Sequence, residues 1–219
     1  MKLTDRLHRA ALPIWQKTLH HPFVTGLGDG TLPLENFRFY MCQDYVFLIE
    51  YSRLLALATA KAPDLEMMGR FANLLDATLN REMALHREFA SQCGISATAL
   101  AQTKAAPTTH AYTRHLVSVA ALGDLAEVIT ALLPCQWGYC EIGQLLATQG
   151  KPVGAPFYSQ WIEMYASPEF AALAAWLREV LDSLDGTVRE DRLQEIFTTS
   201  ARYEYLFWDM AYRQEEWPL

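Results

Sequence analysis

Basic residues are the scarcer charge in this chain. It carries 18 Lys and Arg against 25 Asp and Glu, a formal net charge of -7 at pH 7. No Lys/Arg cluster stands out along it. Nucleic acid and anionic membrane surfaces both need such a patch, so neither is an expected partner. Long apolar runs are missing as well. None approaches the roughly 20 residues of a membrane-spanning helix. The first segment, MKLTDRLHRAALPIWQKTLHHPF, reads as an amphipathic helix and not as a secretory leader. Cysteine is sparse, with Cys42, Cys93, Cys135 and Cys140 forming no CxxC pair and no good zinc spacing. Reduced thiols in a cytoplasmic chain are the expectation. GxGxxG, the P-loop, GxSxG and HExxH are all absent, and no Glu is followed by His three residues later. Strand patterns and internal repeats are also lacking.

What remains is helical. At 219 residues, with 51% hydrophobic and 20% charged residues, the chain is long enough for one domain with a sizeable core. An amphipathic stretch covers residues 4–19, and Gly26, Gly28 and Gly30 mark a loop. Pro33 suits the start of a helix that runs to about Ala62, before Pro63. A continuous helix is expected over 65–92, ending at Gly94, with a short one near 96–103. Thr108 or Thr109 caps a helix to Gly123, and Asp124 caps the next, to about Thr148. Pro134 lies inside that helix and should kink it. Ser167-Pro168-Glu169 opens a helix over 168–184, closed by Gly186. Thr187 and Glu190 then form a capping box for a last helix over about 188–215. The sum is an all-α bundle of roughly eight or nine helices, one domain spanning residues 1–219.

Three of these helices carry a reactive polar residue inside an apolar stripe. The stripes are Phe37, Tyr40, Asp44, Phe47, Tyr51; Leu125, Val128, Leu132, Cys135, Tyr139, Ile142, Leu146; and Leu193, Phe197, Ser200, Glu204, Phe207, Ala211. Steps of three and four residues keep each set on one helical face. Each residue also has a plain structural explanation. A buried Cys135 can be a small hydrophobe. Asp44 can be a carboxylate satisfied by an arginine or a helix N-terminus, or it can recognise a ligand amine or amidine. Glu204 can be a solvated edge residue, or an acid whose pKa rises in an apolar pocket until it trades protons near neutrality. Tyr112 and Tyr165, taken alone, read as core aromatics.

Glu82 and His86 make a fourth set, on the stripe Met68, Ala72, Leu75, Leu79, Glu82, His86, Phe89. A di-iron bundle needs Glu-x-x-His pairs, which are absent. This pair therefore reads as a buried structural hydrogen bond or as support for a neighbouring site, and no metal is expected.

The segments FRFYMCQDYVFLIEYSRLL, PCQWGYCEIG, FYSQWIEMYASPEF and SARYEYLFWDMAY, with AYTRHL and EMALHREFASQCGI, resemble the signature segments of the TenA or thiaminase II family, the aminopyrimidine aminohydrolases. The match runs in order through nearly the whole chain. The resemblance implies a haem-oxygenase-like all-α fold without haem, a homotetramer and no cofactor. It implies hydrolysis of 4-amino-5-aminomethyl-2-methylpyrimidine to the hydroxymethyl pyrimidine with release of ammonia, in thiamine salvage, and the related cleavage of thiamine. By position, Cys135 matches the nucleophile and Glu204 the acid that protonates a ring nitrogen. Asp44 matches the carboxylate that holds the ring's amino group and an adjacent ring nitrogen. Tyr112 matches a hydrogen-bonding partner at the glutamate end and Tyr139 the tyrosine one turn after the nucleophile, while Phe47, Tyr165 and Phe207 match pocket aromatics. Cys140 departs from the bulky aromatic expected five residues after the nucleophile. Two other readings stand beside this one: a non-catalytic regulatory protein that binds thiamine-like pyrimidines, and an oxidase of the same fold that uses a metal or oxygen.

Overall fold

The computed structural model describes residues 1–218. Helix accounts for 81% of it, with no strand among the described residues. Among the described residues there are eleven α-helices: α1 (Leu3–Leu19), α2 (Pro22–Asp29), α3 (Leu34–Lys61), α4 (Leu65–Ala77), α5 (Met83–Gln92), α6 (Ala97–Ala101), α7 (Pro107–Leu122), α8 (Leu125–Thr148), α9 (Pro156–Tyr165), α10 (Pro168–Ser183) and α11 (Glu190–Arg213). A π-helical segment, Thr78–Glu82, joins α4 to α5. These helices fall into two compact units. One comprises residues 1–33 and 129–209, the other residues 34–128 and 210 onward.

In the second unit α3 is the central element, packing on α4, α5 and α7. It ends at Lys61, two residues before Pro63, whose ring disfavours helix in the residue it follows. The Lys61 ammonium donates to the Gly123 carbonyl at 2.7 Å, tying that end to the turn after α7. Gln43 is buried in mid-helix and fully used. Its amide donates to the Lys104 carbonyl at 3.1 Å and accepts from the Ala106 N–H at 2.9 Å, which anchors the approach to α7. That helix starts with Pro107 at its first turn, and Thr109 is buried instead of capping it. The expected box at the start of α8 is present: the Glu127 N–H donates to Asp124 Oδ1 at 2.9 Å and the Asp124 N–H to Glu127 Oε2 at 3.2 Å.

In the first unit α1 packs on α2 and α10, and α9 on α2 and α10. The Glu141 carboxylate of α8 accepts from two indoles, Trp15 at 2.7 Å and Trp137 at 2.6 Å. The Arg178 guanidinium of α10 lies 3.8 Å above the Trp137 ring. This half-buried carboxylate is satisfied by two donors, and the cluster fastens three helices together. Fully buried Phe23 and Phe197 each add on the order of 2–3 kcal/mol of apolar burial.

Three expectations need correction. The glycines at 26 and 28 sit inside α2, which starts at Pro22 and is capped by a histidine: the Phe23 N–H donates to His21 Nδ1 at 3.1 Å. Histidine is not among the usual capping residues, so the start signal is hidden. Gly28 is there for space, because a Cβ on it would lie 2.6 Å from a Leu146 methyl. Thr187 does not cap the last helix. Its hydroxyl donates back to the Leu184 carbonyl at 2.6 Å, and α11 begins at Glu190. The segment 65–92 is not one α-helix, since the π segment interrupts it.

Gly143 of α8 lies directly against the C-terminal end of α9. A Cβ there would stand 2.6 Å from the Tyr165 carbonyl carbon and 2.7 Å from the Ala166 nitrogen. Backbone cannot give way as a side chain does. Gly143→Ala is therefore expected to cost about 1–3 kcal/mol and lower Tm by several degrees, measured by thermal unfolding. An unchanged Tm would mean that α9 shifts freely.

Candidate active site

All three reactive residues of the stripes are buried. In the second unit, Asp44 lies on α3 with its side chain only 9% exposed, among Phe37, Tyr40, Phe47 and Tyr51, which are all buried as expected. Burying a carboxylate unpaired costs several kcal/mol. The partner is His86 of α5, whose Nε2 lies 3.2 Å from Asp44 Oδ2. This is a close polar contact without the alignment of a good hydrogen bond, for neither ring nitrogen of His86 makes one. Phe47 stacks along the helix on Tyr51 and lies 5.2 Å from the Tyr112 ring of α7. Asp44, Phe47 and Tyr112 thus belong to one unit, and the last two touch.

The row expected to carry Glu82, from Met68 through Ala72, Leu75 and Leu79 to His86 and Phe89, is buried only at its far end: Met68 and Leu79 are exposed and His86 is buried. Before His86 the inward residues are Phe71, Thr78 and Met83. The step from Thr78 to Met83 spans the π segment. Wider i→i+5 turns rotate the inward row by about one position, so a strict three-and-four count loses register there. The expected Glu82–His86 hydrogen bond is not formed. Glu82 instead lies close enough to Asp44 to feel its charge. Burial first, and the Asp44 carboxylate second, push the Glu82 carboxyl up to about 7; Thr78 and His86 act the other way. No three His, Cys, Asp or Glu side chains among the described residues are grouped closely enough to hold a metal ion.

In the first unit, Cys135 and Tyr139 occupy successive turns of α8, both buried. Here the stripe argument has little force. From Val128 to Trp137 every residue of α8 is buried, so the helix is covered all round and facing inward singles nothing out. The helix continues on both sides of Pro134. The Tyr139 ring packs at 4.8 Å from Tyr165 and 5.1 Å from Trp208. Glu204 of α11, 6% exposed, shares with Tyr139 the wall of a small cavity of about 10 Å³, room for about one water. Trp15, Gly138, Ile142 and Ala201 complete much of that wall. Phe207 is buried one turn after Glu204. Five of the eight residues nominated by the resemblance therefore lie in this unit: Cys135, Tyr139, Tyr165, Glu204 and Phe207.

The other thiols are poor nucleophiles. Burial pushes the Cys93 thiol up to about 11. It also raises Cys42, and Cys140 with help from the Glu141 charge. Each holds less thiolate at neutral pH than an exposed cysteine would. Cys140 is thus a small buried side chain where an aromatic was expected, and no disulfide links it to Cys135.

Comparison with known proteins adds what geometry cannot. The TENA/THI-4/PQQC family model matches residues 8–214. The aminopyrimidine aminohydrolase of Halalkalibacterium halodurans is 46% identical over 220 residues, covering 99% of this chain and 98% of that protein. The solved TenA homologue from P. horikoshii OT3 superimposes with a TM-score of 0.92 at 33% identity, covering 97% of this chain and 99% of that one. A Shewanella denitrificans domain of unknown function with a haem-oxygenase-like fold is only 14% identical, yet it covers 96% of this chain and 92% of its own with a TM-score of 0.78. That last likeness speaks for the fold alone, and it agrees with the all-α architecture. With the family match running almost end to end over a helical fold of this kind, the chain belongs to the TENA/THI-4/PQQC family.

Proposed function

We propose that the chain is an aminopyrimidine aminohydrolase of thiamine salvage, converting 4-amino-5-aminomethyl-2-methylpyrimidine and water to the hydroxymethyl pyrimidine and ammonia. The observation that carries the reading is the near full-length identity to a protein of that activity, in a chain that keeps an acid, a thiol and a second acid buried at Asp44, Cys135 and Glu204. Cleavage of thiamine, with the thiazole leaving in place of ammonia, is the related reaction. Residues 1–219 form one catalytic domain, working as a cytoplasmic homotetramer.

The chemistry follows from the residue types. An aminopyrimidine resists displacement at its methylene carbon until the ring is activated. Asp44 accepts hydrogen bonds from the ring's amino group and adjacent nitrogen. Glu204 protonates a ring nitrogen while the Cys135 thiolate adds to a ring carbon. The electrons placed in the ring then expel ammonia from the methylene carbon, the amine leaving from its protonated form. Water adds to that carbon and passes its proton to the released ammonia, the sulfur–carbon bond breaks to return the thiolate, and the ring proton returns to Glu204. Tyr112 and Tyr139 offer hydroxyls to the acid and to the ligand, and Phe47, Tyr165 and Phe207 bound the flat ring.

Ammonia release from the aminomethyl pyrimidine, measured beside thiamine, tests this reading. Cys135→Ala is expected to lower kcat on the order of a thousandfold or more. Asp44→Ala is expected chiefly to raise KM, by about 10–100-fold, the loss of a charge-assisted hydrogen bond. Full activity in Cys135→Ala would remove the nucleophile assignment. Tight pyrimidine binding by the wild type without ammonia release would replace the enzyme by a binding protein.

A further inference from the structure

We propose that His86 and Glu82 are positioning residues for Asp44: the imidazole holds one carboxylate oxygen in place for the pyrimidine, and the Glu82 proton governs how firmly it does so. This rests on the reading of Asp44 as the group that binds the ring's amino side.

The geometry has three parts. The His86 and Asp44 side chains are 8% and 9% exposed and meet at 3.2 Å through Nε2 and Oδ2. A buried imidazole in a folded protein normally has both ring nitrogens hydrogen-bonded. Here both lack that bond, and Nε2 faces the Asp44 carboxylate at 3.2 Å. Glu82 closes the π segment one residue before α5, and it feels the charges of both Asp44 and His86, so the three groups form one electrostatic cluster. The third part is the π segment Thr78–Glu82 itself. It turns the chain so that Thr78 and His86 face inward while Leu79 faces out, and it brings Glu82 within the field of Asp44. Insertions of this kind are frequent at functional sites.

The titratable groups around Glu82 are Asp44 on α3 and His86 on α5, with the Tyr45 ring of α3 6.0 Å from the His86 ring. With Glu82 neutral, the cluster holds one carboxylate and the imidazole serves Asp44 alone. Once Glu82 ionises, two carboxylates share one imidazole, and the grip on Asp44 loosens. The carboxyl, pushed up to about 7, makes this change within the working range of a cytoplasmic enzyme. The change at Glu82 acts on the orientation of Asp44 and on the local charge, not on the reacting atoms, so its effect belongs in KM and not in kcat.

Two measurements test this. In steady-state ammonia release, the wild-type KM is expected to rise several-fold between about pH 6 and pH 8, while its kcat-against-pH profile is the same as that of Glu82→Gln. Glu82→Gln, locked in the neutral form, should keep the low-pH KM throughout. His86→Gln should raise KM about tenfold at every pH. A purely structural pair would instead lower Tm and the active fraction and leave the shape of the KM profile alone. That outcome, or an unaltered profile in Glu82→Gln, overturns the proposal. The second measurement needs no substrate. Carbon-13 NMR of labelled glutamate carboxyls in the whole protein should show Glu82 titrating near 7, and Asp44→Asn should move that midpoint down toward the ordinary 4.5. An unmoved midpoint refutes the coupling even if turnover is as expected. If the wild type releases no ammonia, the enzyme reading fails, and the NMR titration still decides the coupling. The same proton has a stability signature. Because the folded chain keeps it above the ordinary carboxylate range, the Glu82 contribution makes Tm fall as pH rises from about 4.5 to about 7, and Glu82→Gln removes that part of the fall.

Discussion

A carboxylate held in an apolar interior must be matched or neutralised, because leaving it bare costs several kcal/mol, a large share of the 5–15 kcal/mol that stabilises a typical domain. Much of this molecule is organised around that constraint. Glu141 meets it with two indole donors, and Arg178 lies over one of those rings. This arrangement welds α1, α8 and α10 and leaves nothing over for chemistry. Asp44 meets it with an imidazole that is close but not aligned as a hydrogen bond. Glu82 meets it by keeping its proton. The difference between a structural acid and one poised for a ligand is thus how completely its surroundings satisfy it.

The helical architecture was legible because most of its punctuation is chemical. Pro33 and Pro63 bracket α3, the Asp124–Glu127 box opens α8, and Ser167 with Pro168 opens α10. Gly94 and Gly186 take the left-handed backbone where a stop was expected. What stayed hidden had no such mark. His21 caps α2 although histidine seldom does, and the neighbouring glycines look like a loop when they are close-packing positions. The π segment has no sequence signature at all. It lies between α4 and α5, both packed on α3, and a periodicity count cannot see it.

The site was legible only in part, and for two distinct reasons. On α3 and α11 the polar residue stands on the buried side of an amphipathic helix, so the stripes of Asp44 and Glu204 carried information. On α8 every side is covered around Cys135, and a stripe drawn through it would have found any residue there inward-facing. That thiol was singled out by resemblance, not by periodicity. Conversely, counting threes and fours put Glu82 and His86 on a row whose earlier members, Met68 and Leu79, are exposed, and it could not show that the close contact of His86 is Asp44.

The central claim is that Asp44, Cys135 and Glu204 act on the same pyrimidine ring. A crystal structure with the hydroxymethyl pyrimidine bound tests it most directly. The account predicts the ring's amino group and neighbouring nitrogen on the Asp44 carboxylate, Glu204 at a ring nitrogen, and the Cys135 sulfur within van der Waals reach of a ring carbon. A ring bound away from Asp44, or with the Cys135 sulfur shielded from it by other side chains, would contradict it.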